Sequence, residues 1–404
     1  MHLGANVHLT YCTNVHPGES WAEVRENLAL RVAAVRAELS PDRPFGVGLW
    51  LSARAVEELR APDARAELQQ LLADHGLYVF TLNGFPYGAF HARAIKERVF
   101  QPDWRSDARR AYSDSLAELL ATLLPAGVSG SVSTLPGAFR PAVRGDDDEA
   151  AIASQLLAHA AHLHRLHEST GKRIALALEP EPRCFLETTA EMIAFFDRRL
   201  RSERALRQLG ELAGVTTTAA ADLLQRHLGV CLDTCHAAVE FEQPGALVAA
   251  LRAAEIAIVK VQLSSGLRIE RADAAARAAL QPYLDEVYLH QVVARRAGGE
   301  LVRYLDLPEA LATELAADEV APEWRVHFHV PVFIARMRAF ESTQFFLREI
   351  LALQRQSPLS THLEVETYMW DVLPDEARTS DLTQAIAREL RFCLAELRAA
   401  PEPA

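Results

Sequence analysis

The chain has 404 residues, half of them hydrophobic and 24% charged, enough for two average domains or for one large α/β barrel with an insertion. A net charge of −12 and a pI near 5.7 argue against a nucleic-acid partner, whose phosphates need a basic face. Five cysteines, odd in number and without framework spacing, read as reduced thiols in a cytoplasmic setting. The opening MHLGANVHLT has neither a basic segment nor an apolar run, so no signal peptide is expected. No stretch approaches the ~18 apolar residues of a membrane span.

Short apolar or β-branched runs alternate with longer helical ones. The strand candidates run 5–11, 45–52, 77–84, 127–134, 173–180, 228–234, 256–265 and 361–368. Between them, Ser20 with Glu23 and Thr188 with Glu191 form capping boxes, while Gly76 and Gly171 stand where helices end. The acidic run GDDDEA (145–150) directly precedes a helical stretch, so it reads as a solvated helix start rather than a metal motif. Residues 266–345 are too long for a simple crossover and contain two extended runs, VYLHQVVA and WRVHFHVPVF. Eight β-then-α units predict a (β/α)8 TIM barrel, with a doubly wound open sheet as the alternative. Residues 1–404 then form a single TIM-barrel domain, and 266–345 form an insertion between the seventh and eighth strands, a lid-like segment over the barrel mouth.

In such barrels the active site lies at the C-terminal ends of the strands. The polar residues expected there are His8, Ser52, Asn83, Ser133, Glu179, Asp233, Gln262 and Glu366. Glu179, Asp233 and Glu366 come from the fifth, sixth and eighth strands and face one another across the mouth. Three converging carboxylates repel unless a divalent cation sits among them, and oxygen ligands with one or two histidines suit Mn²⁺, Mg²⁺, Co²⁺ or Zn²⁺. Each residue also has a plainer reading. The less favoured alternatives are that Glu179 bridges a rim arginine and that Asp233 caps the next helix, and Glu364 shares the strand parity of Glu366. His327 and His329 share one face of an extended run, either as ligands or as a hydrogen-bonded pair, and His290 is the third imidazole of the insertion. Cys231 and Cys235 lack the C-x2-C spacing of a structural zinc site and read as small buried thiols.

These residues resemble the xylose-isomerase-like TIM-barrel superfamily of sugar isomerases and epimerases. The resemblance implies that Glu179 in LALEPEP, Asp233 in CLDTCH and Glu366 in HLEVETY hold a divalent metal. It places Gln262 of VQLSS where the superfamily has a ligand histidine, and makes His236, of D-x-x-H, a substrate contact. An amide oxygen is the weaker ligand, so either the metal is held more loosely or His329 or His290 substitutes. The longer phrases YCTNVHPGESW, TLNGFPYGAFH, LEPEPRC, WRVHFHVPVF and HLEVETYMWDVLP resemble the EboE-type metabolite traffic proteins, which implies pathway partners from the same operon. The implied activity is a metal-dependent isomerase or epimerase acting on a small polyhydroxylated metabolite, a sugar or cyclitol. Glu179 and Glu366 would be its acid and base, the metal would stabilise an enediolate, and His236, His8, Asn83, His290 and His329 would contact substrate. Two alternatives stay open: a metal-dependent hydrolase whose two-metal site is completed by HFHV, and a non-catalytic metabolite carrier.

Overall fold

The capped helices and apolar runs build a ring of parallel strands. The computed structural model describes residues 1–88, 96–284, 286–314, 320–337, 339–368, 370, 373 and 381–399. The eight barrel strands are His8–Tyr11, Phe45–Trp50, Leu77–Asn83, Gly130–Thr134, Ile174–Leu178, Leu228–Asp233, Ile258–Leu263 and His362–Val365. Each pairs in parallel with the next from the second to the eighth, and the eighth pairs with the first. The ring closes between the first and second strands, where Cys12 bridges Gly48 and Thr10 Oγ1 donates to Gly46 O at 2.6 Å. A strand with neighbours on both sides rules out the open sheet, and the chain is a TIM barrel.

Local chemistry sets the ends of the elements. The first strand starts at His8 rather than at residue 5 because Gly4, Ala5 and Asn6 all have positive φ, a turn and not a strand. Both capping boxes form, at Ser20–Glu23 and Thr188–Glu191. The run at 145–150 opens the helix Asp146–Thr170, where Arg199 pairs with Asp146 and Glu149. Gly171 ends that helix at φ 68°, a left-handed conformation that a Cβ would disfavour.

Among its described residues, the insertion between the seventh and eighth strands folds as a five-stranded antiparallel sheet. Its order is Leu301–Tyr304, Val292–Arg295, Glu323–Val326, Leu267–Ile269 and Glu341–Ser342. The extended runs are shorter than the sequence suggests. One strand starts at Val292, past His290, and another ends at Val326, before His327. His327 and His329 therefore stand on a connection and not on a strand face. That connection is pinned by His327 N donating to Gln291 O and Val330 N to Ser265 O, both at 2.8 Å. Among the described residues no helix is long and apolar enough to cross a membrane, and all five cysteines are buried and free.

Candidate metal centre

Strand alternation points Cys231 and Asp233, Lys260 and Gln262, and His362 and Glu364 into the barrel, so the sixth to eighth strands carry polar interior faces. Asp233 ends the sixth strand and caps the short helix Thr234–Val239. Its Oδ1 accepts from the backbone N–H of Cys235 at 2.7 Å and of His236 at 3.0 Å, and from Ser264 Oγ at 2.7 Å. Its Oδ2 is buried with no hydrogen-bond partner. One carboxylate thus serves as helix cap through one oxygen and leaves the other for something else.

Glu179 and Glu366 lie just beyond the fifth and eighth strands. One oxygen each of Glu179, Asp233 and Glu366 falls within 4.8 Å of the others, and all three residues are buried. Burial, followed by the charges of Glu366 and Asp233, pushes the Glu179 carboxyl well above its ordinary range. Burial, then Asp233 and Glu364, does the same to Glu366. Glu366 Oε1 accepts from Asn14 Nδ2 at 2.7 Å and Asn83 Nδ2 at 3.1 Å. Asn83 therefore orients a carboxylate here, where the sequence suggested a substrate contact.

Three imidazoles close the other side. His236 Nδ1 lies 3.0 Å from Pro180 O, His329 Nδ1 2.7 Å from Glu366 O, and His327 Nδ1 2.8 Å from Gln291 Oε1. Gln291 is oriented by its own amide, which donates to Glu181 Oε1 and Pro182 O. All three partners are acceptors, so each Nδ1 carries the proton and each Nε2 presents a lone pair. Those Nε2 atoms converge: His236 to His327 is 3.1 Å, and His327 to His329 is 3.1 Å. Burial lowers the pKa of all three rings, which keeps them neutral. Acceptors in contact repel unless a cation lies among them. Nitrogens around a tetrahedral zinc stand roughly 3.3 Å apart, close to this spacing. Asp233, His236 and His329 offer atoms within 4.8 Å of one another, so the imidazole and carboxylate groups share members. The donor set fits a divalent ion held by nitrogen and oxygen together, and it has enough donor atoms to serve a second.

Below the carboxylates, Lys260 Nζ meets Glu364 Oε1 at 2.6 Å, both side chains fully buried. Gly48 makes room for the pair, because a Cβ there would lie 1.7 Å from Glu364 Oε2. Glu364 is thus spent on a lysine, and Glu366 stands at the mouth. Sequence reasoning missed both Lys260 and Asn14. The signal for the first was a lysine inside the apolar run IVKVQL, a buried charge that demands an acid partner.

Other expected site residues lie elsewhere. His8 is the first residue of its strand, so it sits at the N-terminal end of the barrel, its Nδ1 2.8 Å from Tyr78 Oη. That corrects its assignment to the substrate mouth, and the reason is the turn that delays the strand. Gln262 is buried, its Oε1 accepting from Cys231 Sγ at 3.2 Å and its Nε2 without a partner. The oxygen it would give a metal is held by a thiol. His290 packs against Phe328, ring centroids 4.8 Å apart, outside the groups that could hold an ion. Ser52 caps the helix Ala53–Glu58, and Ser133 lies 3.3 Å from Lys260 Nζ. Cys235 offers its sulfur near His327 and His329, a contact the spacing of the cysteines did not suggest.

The cavity over this centre is about 40 Å³, lined in part by Asn83, Glu179, His236, His329 and Glu366. That holds ions and a few waters but no sugar.

No protein-family model matches the chain, and no curated protein does. Solved structures are similar to it over nearly the whole chain. They include the IOLI protein with a binding zinc atom, 12% identical over 97% of this chain and 98% of that one, with a TM-score of 0.47. A xylose isomerase domain protein from Planctomyces limnophilus is 11% identical over 97% of each chain, TM-score 0.47. The 3-keto-D-glucoside 4-epimerase YcjR from E. coli is 11% identical over 96% of this chain and 99% of that one, TM-score 0.44. Likenesses this distant carry no weight for activity, and the barrel rests on its own strand order and closure. The comparisons lend no support to the EboE-type resemblance.

Proposed function

We propose that the protein is a divalent-metal-dependent enzyme that isomerises or epimerises a small polyhydroxylated metabolite, a sugar or cyclitol. The observation that carries this reading is the convergence of three imidazole Nε2 atoms, each with its Nδ1 tied to a carbonyl oxygen, beside three buried carboxylates. Asp233, Glu179, Glu366, His236 and His329 would hold the ion, with His327 beside them. When bound, the ion supplies charge that binds and polarises adjacent substrate oxygens. The protein's own groups then divide the proton work. Asn14 and Asn83 donate to Glu366 and favour its ionised form, which suits a base that takes a proton beside a carbonyl. Among the described residues no amide donates to Glu179, so burial leaves it the better acid, to return the proton. The inserted segment would act as the lid, because substrate fits only if residues 287–291 and 327–329 move outward.

A second reading, a hydrolase using a metal-activated water, is favoured by one specific feature: the imidazole cluster adjoins the carboxylates closely enough to serve a second ion. Metal analysis of the purified protein tests both. One tightly held ion per chain is expected for the isomerase and two or more for the hydrolase. Retention of none after dialysis against micromolar Mn²⁺ and Zn²⁺ would overturn both.

A further inference from the structure

Past the metal centre lies a second chamber of about 50 Å³ that shares Phe85, Glu181, His327 and Tyr368 with the first. Its remaining walls change character. Val99, Phe100, Val287, Tyr288 and Leu289 are apolar or aromatic. Phe85 stacks on Phe100 at 6.0 Å between centroids, and Tyr288 meets Tyr368 edge-on at 5.5 Å. Phe85, Val99, Tyr288, Leu289 and Tyr368 are only partly buried although they pack on the core. The amide and ammonium at this chamber already have partners: Lys96 Nζ donates to Tyr288 O at 2.8 Å and Asp306 Oδ2 at 2.7 Å, and Gln291 donates to Glu181 and Pro182.

A bare polyol entering this space would exchange water for aromatic faces and gain few new hydrogen bonds, whereas an apolar group would cover surface that is now only partly buried. We infer that the substrate is amphipathic: a polyhydroxylated head at the metal centre and an apolar, ring-sized tail in the adjoining sleeve. The inference rests on the proposed function for the head and adds the tail. The two chambers share Phe85, Glu181, His327 and Tyr368 as walls, which sets the tail directly beside the head. The sleeve is smaller than a ring as it stands, so the tail enters as residues 287–291 yield. They belong to the insertion and not to the barrel wall.

The test uses D-glucose and phenyl β-D-glucopyranoside, titrated by calorimetry into the full-length protein loaded with Mn²⁺, with metal content measured on the same samples. Burying a phenyl ring should tighten binding by at least ~10-fold. Val99→Arg, which charges the sleeve, and Val99→Trp, which fills it, should each erase that gain while leaving metal content and glucose affinity unchanged. Equal affinity for the two sugars in the wild type, or a gain that survives both variants, overturns the tail. Failure to take up metal overturns the head assignment alone, because the phenyl-to-glucose ratio is read separately from metal content.

Discussion

At the N-terminal end of the barrel, His8 and His362 lie with ring centroids 6.4 Å apart, their Nδ1 atoms against Tyr78 Oη and Ser131 Oγ. At the C-terminal end, His236, His327 and His329 hold carbonyl oxygens instead. The difference is chemical. A hydroxyl can donate or accept, so it does not by itself set the tautomer of the lower rings, and His8 Nε2 remains without a partner. A carbonyl only accepts, which fixes the proton on Nδ1 and aims a lone pair from Nε2. Burial drives His8 down to about 4 and His362 to about 3, so the lower pair is neutral as well. What separates the two ends is convergence of those lone pairs next to carboxylates, which among the described residues occurs only at the mouth. The same contrast runs along one strand: Glu364 is neutralised by Lys260, while two residues on Glu366 has only amide donors.

The largest expected effect tests the buried pair. Lys260→Met leaves Glu364 without its cation and should cost ~3–5 kcal/mol in urea unfolding, whereas Lys260→Met with Glu364→Leu should recover most of it. A single variant as stable as the wild type would show that Lys260 is not needed to hold Glu364 in the interior. Next comes the contrast between the two histidine groups. His329→Ala should lower the affinity for Zn²⁺ more than ~100-fold in a competition titration, beyond the usual cost of losing an outer-shell partner, while His8→Ala leaves it unchanged. If both variants lose metal alike, the distinction drawn between the two ends fails. The smallest effect concerns Gly48, where an added Cβ would collide with Glu364. Gly48→Ala should cost ~1–3 kcal/mol of stability, and the cost should fall when Glu364→Ala is present, since the collision is then gone.

The repeated strand-then-helix pattern, both capping boxes and the position of the insertion were all legible in the sequence. Each depends on neighbours within a few residues: a hydroxyl three positions before a glutamate, an apolar run of strand length, a glycine where the helix must turn. Glu179, Asp233 and Glu366 could be singled out for the same reason, as acids at the ends of apolar runs in a fold whose strand ends converge. Their partners could not. That Lys260 cancels Glu364, that Asn14 and Asn83 hold Glu366, and that His8 faces the opposite end from His329 all depend on how strands far apart in the chain are placed and staggered across a closed barrel. The three imidazoles come together only because a connection of the insertion, pinned by backbone bonds to Gln291 and Ser265, lies against the mouth. Sequence fixes which groups are available. The tertiary fold decides which lone pairs meet, because repulsion between buried acceptors acts over a few ångströms of space, whatever the separation along the chain.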